Sequence, residues 1–321
     1  MEYRLGFAFN STNDFDRYAV LNIYIKLPLL TLMFRLTNSL RPVLAGWTHT
    51  NPECTLVKLV DAGTPMSVEQ YSTEWSNSSH KLDAQGIYFW MQEQLGSPKT
   101  VLEIGCGSGL STCAIAATGA RVVAIEFSPS AIRSAQRALQ KQGYSVSIVL
   151  LGNLSPETVI SQADDVLLVE GNALHPQLSK RLPHDFFDAI ACWLIGGAPT
   201  HVAQSLKRKI KQLSGDDMAK YRRLVQRNVF EIGTSVLKGT GIVHVTDRGG
   251  LAFPVPEEMI GVEYLTGLAE IAKSTCYDFE KSSASAKIID ERALEGKIQY
   301  VLEPGLTAQW IGISSAKIVR T

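Results

Sequence analysis

Val101-Leu102-Glu103-Ile104-Gly105-Cys106-Gly107-Ser108-Gly109 is the stretch on which the reading of the fold turns. It begins inside a short apolar run, Thr100 to Ile104, that reads as a strand, and it ends in three alternating glycines. Without a Cβ, Gly105, Gly107 and Gly109 let the backbone turn sharply and come close to a ligand. Leu110 to Thr118 then reads as a helix of small residues, with free N–H groups in its first turn aimed at the crevice. Strand, glycine turn and helix in that order make a site of the nucleotide type, without naming the nucleotide.

Working outward, Arg121 to Glu126 is the next apolar strand. Ser128 and Pro129 open a helix, serine as N-cap and proline at the first helical position, which runs to about Gln142 and stops at Gly143. Further strands are expected at Val146–Leu151, Val166–Glu170, Phe187–Cys192 and Gly241–Thr246, with a last pair near Tyr277–Ser283 and Trp310–Ile318. Upstream, Ala84, Ile87, Tyr88, Met91 and Leu95 recur at helical spacing and mark an amphipathic helix ending near Gly96. Repeated strand–helix alternation requires crossovers, and so a parallel sheet with helices on both faces. The final pair reads as an antiparallel addition at the edge. A turn-rich segment from Asp61 to Pro65 separates an N-terminal extension, residues 1–65, from the domain expected over residues 66–321.

The chain has 321 residues, and 31 lysines and arginines balance 31 aspartates and glutamates. A zero net charge gives no general attraction to nucleic acid or to an anionic membrane. The five cysteines, at positions 54, 106, 113, 192 and 276, are odd in number and form no C-x-x-C pair. That argues against a disulfide framework and against a metal centre, and suits reduced thiols in a cytoplasmic protein. The apolar run from Tyr18 to Phe34 is interrupted by Asn22, Lys26 and Pro28 and falls short of the roughly 20 residues that span a bilayer. Asp14 and Asp16 precede it, where a secretory signal would carry positive charge. It reads as a buried or partner-facing amphipathic element, not as a membrane anchor.

Two features discriminate between nucleotides. A dinucleotide fingerprint, G-x-G-x-x-G, needs a third glycine where Leu110 stands, and Gly109 comes one position early. Glu126, about twenty residues beyond the glycine loop at the end of the second strand, can accept hydrogen bonds from both hydroxyls of a ribose.

Glu103-x-Gly105-x-Gly107-x-Gly109 followed by Glu126 resembles motifs I and II of the class I S-adenosylmethionine-dependent methyltransferases. The resemblance covers roughly residues 67 to 250. It implies a Rossmann-like, doubly wound α/β fold whose mostly parallel seven-stranded sheet carries an antiparallel edge pair. It also implies S-adenosyl-L-methionine as cofactor. The loop residues Glu103, Gly105, Cys106, Gly107 and Gly109 would lie on the methionine side, Glu126 on the ribose, and Phe127 against adenine. A Gly-Asp-Ala-like segment of this family touches the adenine edge. Gly171-Asn172-Ala173 fits that place with an asparagine where aspartate is usual, and Gly152-Asn153 is a rival for it. Phe187 to Ile190 resembles the family's fourth strand, which puts Cys192 and Trp193 at its tip, facing the reactive end of the cofactor.

No catalytic residue is assigned, because transfer from an activated sulfonium needs orientation more than acid–base chemistry. The place where methylases of exocyclic base amines carry Asn/Asp-Pro-Pro-aromatic reads Ala191-Cys192-Trp193-Leu194-Ile195 here, so that activity has no support. A small-molecule acceptor is favoured, with RNA and protein acceptors still open. Residues 198–230 form an expected substrate-contacting insertion. Its basic positions from Lys207 to Arg227 read either as a lid for an anionic substrate or, more simply, as a solvated helix face. His201 and His244 fall on the ligand side, and both read as structural. Tyr71 and Trp193 suit a substrate pocket and ordinary core packing equally well. Two competing functions stand beside the methyltransferase, a nicotinamide-dependent oxidoreductase and a non-catalytic module that binds an adenosine ligand.

Overall fold

A computed structural model describes residues 67–251, 256–289 and 310–320. The expected extension over residues 1–65, with its apolar run, lies outside the described residues. Two helices lead in, α1 (Val68–Ala84) and α2 (Ile87–Leu95). The alternating part follows as β1 (Thr100–Ile104), α3 (Leu110–Ala116), β2 (Arg121–Glu126), α4 (Pro129–Lys141), β3 (Val146–Leu150), α5 (Pro156–Ile160), β4 (Val166–Glu170) and β5 (Phe187–Trp193). It continues through α6 (Pro199–Ser205), α7 (Gly215–Val236), β6 (Leu237–Leu251) and α8 (Glu257–Ile271), and closes with β7 (Tyr277–Asp278), β8 (Ala284–Ile289) and β9 (Trp310–Arg320).

One sheet of nine strands runs in the order β3-β4-β2-β1-β5-β6-β9-β7, with β8 also paired to β9. The strands from β3 to β6 are parallel to their neighbours, and β9 runs antiparallel to β6, β7 and β8. This is the Rossmann-like α/β architecture expected. The count of seven strands is corrected to nine. Eight strands stand where the sequence places them, β3 among them, and the ninth, β8, follows β7 after a short 3-10 turn at Lys281–Ser283.

The inner strands are apolar on both faces because helices cover both faces. Alternation along each strand sorts the side chains into two cores. Leu102, Ile104, Val123, Ile125, Leu167 and Val169 join Val225, Val229 and Phe230 of α7 and Leu265 and Leu268 of α8 on one side. Val101, Val122, Ala124, Val166 and Leu168 join Leu82, Ile87, Met91, Ile132 and Leu139 from α1, α2 and α4 on the other.

Strand order reverses at β1, between β2 and β5, and the loops after β1, β2, β4 and β5 open there on one side of the sheet. Two of these loops are shaped by glycine or by caps. Ser128 Oγ accepts from Ala131 N at 3.3 Å with Pro129 next in line, so α4 starts where the sequence places it. Gly109 sits at φ 89°, where an L side chain is strained, and a Cβ there would stand 2.5 Å from the Cα of Ala135. Gly109 thus lets α3 pack directly on the backbone of α4. Gly109→Val should therefore destabilise the fold by about 3 kcal/mol or more, combining overpacking with backbone strain. Urea unfolding measures it, and a midpoint unchanged from wild type would contradict this packing role.

Candidate functional site

A cleft lies over the switch point, with an empty volume of about 860 Å³ counting its open mouth. Its floor is the glycine loop, with Gly105, Gly107 and Ser108, and the end of β2, with Glu126, Phe127 and Ser128. Gly171, Asn172 and Ala173 after β4 close one end, and Leu194 to Ala198 after β5 form a wall. Helix α1 contributes Val68, Tyr71, Ser72, Trp75 and Ser76, a single face at helical spacing.

Glu126 is the polar centre of the floor. Its Oε2 accepts the Gly107 N–H at 3.1 Å and its Oε1 the Ser128 N–H at 2.8 Å. Burial raises its pKa above the ordinary carboxylate value, and the backbone donors of Ser128 and Gly107 work against that rise. One side chain thereby fastens the loop after β1 to the turn after β2.

Glu103 is almost fully buried, and its carboxylate faces away from the cleft lining. It accepts from Ser111 Oγ at 2.5 Å and from Thr112 Oγ1 at 2.6 Å, which ties β1 to the first turn of α3. Burial pushes its pKa up to about 7 against the pull of those two hydroxyls. Cys106 and Cys192 are both buried among core side chains and are not among the lining residues, and neither is Gly109. Cys192 points into the core shared with α7, and the tip of β5 reaches the cleft only from Leu194 onward. Trp193 turns inward instead, donating its indole N–H to His244 Nδ1 at 2.8 Å. His244 is fully buried, with its pKa lowered to about 3 by burial, and stays neutral as a structural acceptor.

The remaining expected residues meet in the cleft. Phe127 lies there with the ring of His201 stacked on it, 3.8 Å between centroids and 26° between planes. Asn172 Oδ1 accepts from Leu174 N at 2.8 Å, and Ala173 O accepts from Asn228 Nδ2 at 2.7 Å. The rival segment Gly152-Asn153 lies in a 3-10 turn after β3 and contributes no lining residue.

Several cleft residues escaped the sequence reading. Trp75 stands over the glycine loop, where a Cβ on Gly107 would meet its Nε1 at 2.9 Å. The Ser108 hydroxyl is buried in the cleft floor and meets no hydrogen-bond partner among the described residues. His201, already expected on the ligand side, has an Nδ1 that likewise meets no partner among the described residues, and burial lowers the pKa of its ring. A signal for α1 was present: Ser67 and Gln70 form a capping box at its start.

Residues 101–194 match the family model of a methyltransferase domain. No curated protein sequence matches the chain. Solved structures similar to it include a TehB-like SAM-dependent methyltransferase of Corynebacterium glutamicum, 12% identical over 78% of this chain and 98% of that one, with a TM-score of 0.39. The cyclase SpnF is 12% identical over 80% of this chain and 97% of its own, with a TM-score of 0.44. A precorrin-6y C5,15-methyltransferase of Geobacter metallireducens is 13% identical over 72% and 87%, with a TM-score of 0.38.

The buried Glu103 gives a pH test. Its folded pKa, about 7, lies above the ordinary value of 4.5, so between those values the folded state holds more protons than the unfolded one. Stability contributed by the protonated form is present below pH 4.5 and is lost as pH rises to about 7. Glu103→Gln removes that titration, so the stability of the variant relative to wild type should rise by roughly 2–3 kcal/mol from pH 4.5 to pH 8. Urea midpoints across that range check it, and parallel profiles for the two proteins would exclude it.

Proposed function

We propose, from the match of residues 101–194 to the family model of a methyltransferase domain, that the chain is an S-adenosylmethionine-dependent methyltransferase acting on a small molecule. The observation that carries this reading is the Glu126 carboxylate, set in the cleft floor with its two oxygens bridging Gly107 and Ser128. Each oxygen keeps a lone pair for a ribose hydroxyl. The residues present fit an adenosyl ligand in two further ways. The floor is a cradle that a Cβ would fill, since one on Gly105 would meet Ile195 Cδ1 at 2.5 Å and one on Gly107 would meet Trp75. Its buried Ser108 hydroxyl supplies a polar group for the ligand to satisfy.

When bound, the cofactor supplies a methyl group on an activated sulfonium. The protein's part is to hold, orient and exclude water. Glu126 would hold the ribose, Phe127 and Ala173 the purine, and the loop from Gly105 to Ser108 the methionine portion. Tyr71 and the turn from Leu194 to Gly197 face the end where the acceptor enters. Orientation of this kind is worth about 7–11 kcal/mol of a barrier, so a site without an acid–base dyad is sufficient. We place the protein in the cytoplasm, a reading supported by free thiols at Cys106, Cys113 and Cys192. Among the described residues, no helix is long and apolar enough to cross a membrane.

Isothermal titration with S-adenosylhomocysteine, and with NADH in parallel, tests the function. Saturable binding of S-adenosylhomocysteine alone is expected. Binding of NADH alone would replace the reading by an oxidoreductase, and silence from both would refute an adenosine site. Glu126→Ala should weaken S-adenosylhomocysteine at least tenfold, about 1.4 kcal/mol or more. Unchanged affinity would remove Glu126 from the ribose site.

A further inference from the structure

Trp75 reaches the cleft from α1, and its ring edge stands against the glycine loop. A Cβ on Gly107 would meet its Nε1 at 2.9 Å and its Cδ1 at 3.0 Å. The ring is therefore at the loop where the methyltransferase reading sets the methionine portion of the cofactor. A ring in that place has to be held. If it turned freely about its side-chain bonds, each binding event would have to order it again, at a cost to affinity.

Arg248 supplies the hold. It lies on β6, in the stretch paired with β9, where it stands opposite Ile313. Asp247 beside it accepts the Arg248 N–H at 2.8 Å and pairs with Arg222 of α7 at 3.6 Å, which braces the strand at this point. From there the Arg248 guanidinium reaches over the Trp75 ring, 5.0 Å from its centroid, and Nη1 donates to Ser78 Oγ at 3.4 Å. Residues three apart are neighbours on a helix surface, so Trp75 and Ser78 share one face of α1. One side chain of the sheet thus grips α1 at two points about a turn apart. Burial lowers the pKa of the guanidinium to about 10, so it remains a cation at neutral pH. A cation within about 6 Å of a ring is drawn to its face, and more strongly where water is excluded.

We propose that Arg248 is a positioning residue of the cofactor site, which keeps the Trp75 ring over the glycine loop without itself lining the cleft. The proposal rests on the methyltransferase reading, which puts the cofactor at that loop. The attraction is to a ring face and not to one atom, so the ring can shift in its own plane to seat a ligand and still keep its cation. Affinity for the cofactor then depends on a residue that does not touch it.

A double-mutant cycle on the full chain tests this, read by calorimetric titration with S-adenosylhomocysteine. Arg248→Met removes the charge and keeps an extended side chain, and it should weaken S-adenosylhomocysteine at least fivefold. In a Trp75→Leu background the same change should cost less than twofold, because the ring through which Arg248 acts is gone. Arg248→Lys, which restores a cation, should bind within twofold of wild type. Equal losses in the two backgrounds would mark a general structural role and overturn the proposal, as would an Arg248→Lys as weak as Arg248→Met. Should Arg248→Met fail to fold, the ring side decides. Trp75→Phe, which keeps a face for the cation, should stay within threefold of wild type, and Trp75→Leu should fall at least tenfold; equal affinities for these two overturn the proposal. A wild-type chain that does not bind S-adenosylhomocysteine refutes the methyltransferase reading instead, so the two failures are told apart.

Discussion

The cleft depends on the carboxylate of Glu126 and the two backbone N–H groups it holds. Hydrogen bonds to an ionised acceptor are among the stronger ones available to a protein, about 1.5–3 kcal/mol each. Here they are asked to offset the burial of a charge, and the raised pKa of Glu126 says that burial wins in part. The group is left wanting more donors than the backbone gives it. A ligand that brings two hydroxyls supplies them. The feature that makes the loop geometry possible is therefore the same one that makes the site receptive.

Glu103 and Glu126 lie near enough that the Glu126 charge raises the pKa of Glu103 further, yet the two do different work. Glu126 sits at the last position of β2, half out of the sheet, and its oxygens reach the loops. Glu103 is one residue inside the end of β1, and hydroxyls of α3 enclose it. A carboxylate in the E-x-G-x-G-x-G pattern thus serves here by pinning α3 to β1, which steadies the glycine loop between them. Gly109 adds to that rigidity by bringing α3 onto the backbone of α4.

Where the chain alternates apolar strands with helices, the sequence was legible, because burial on both faces leaves continuous runs such as Val166 to Glu170 that few other arrangements produce. The same continuity hid the direction of each side chain. Cys192 and Trp193 are equally apolar neighbours on β5, and no pattern says which one points to which face. Cys192 and Trp193 are both expected at the tip of β5, but the chain leaves the sheet only at Leu194, with φ 54°, and the cleft lining begins there. α1 was missed over most of its length for the opposite reason. Its cleft face mixes Val68, Tyr71 and Trp75 with Ser72 and Ser76, so the apolar stripe that announces a helix is absent. The residues that shape a ligand site break the periodicity that sequence reading relies on.

The two sides of the cleft differ in how they are held. The floor is fixed by buried carboxylates and by contacts between backbones, leaving no slack at Gly107 or Gly109. The opposing side is built of side chains, with Trp75 over the glycine loop and His201 stacked on Phe127. Anything that reaches Gly107 must share or take the space of the Trp75 ring, and a purine on Phe127 meets the same condition with His201. Both rings are carried on helices outside the sheet, α1 before β1 and α6 after the Gly196-Gly197 turn. Rotating or shifting such a ring disturbs few hydrogen bonds, since Trp75 offers one N–H and the Nδ1 of His201 has no partner to lose. Adjustment to a ligand therefore costs least on the side built of rings, and the floor keeps its shape.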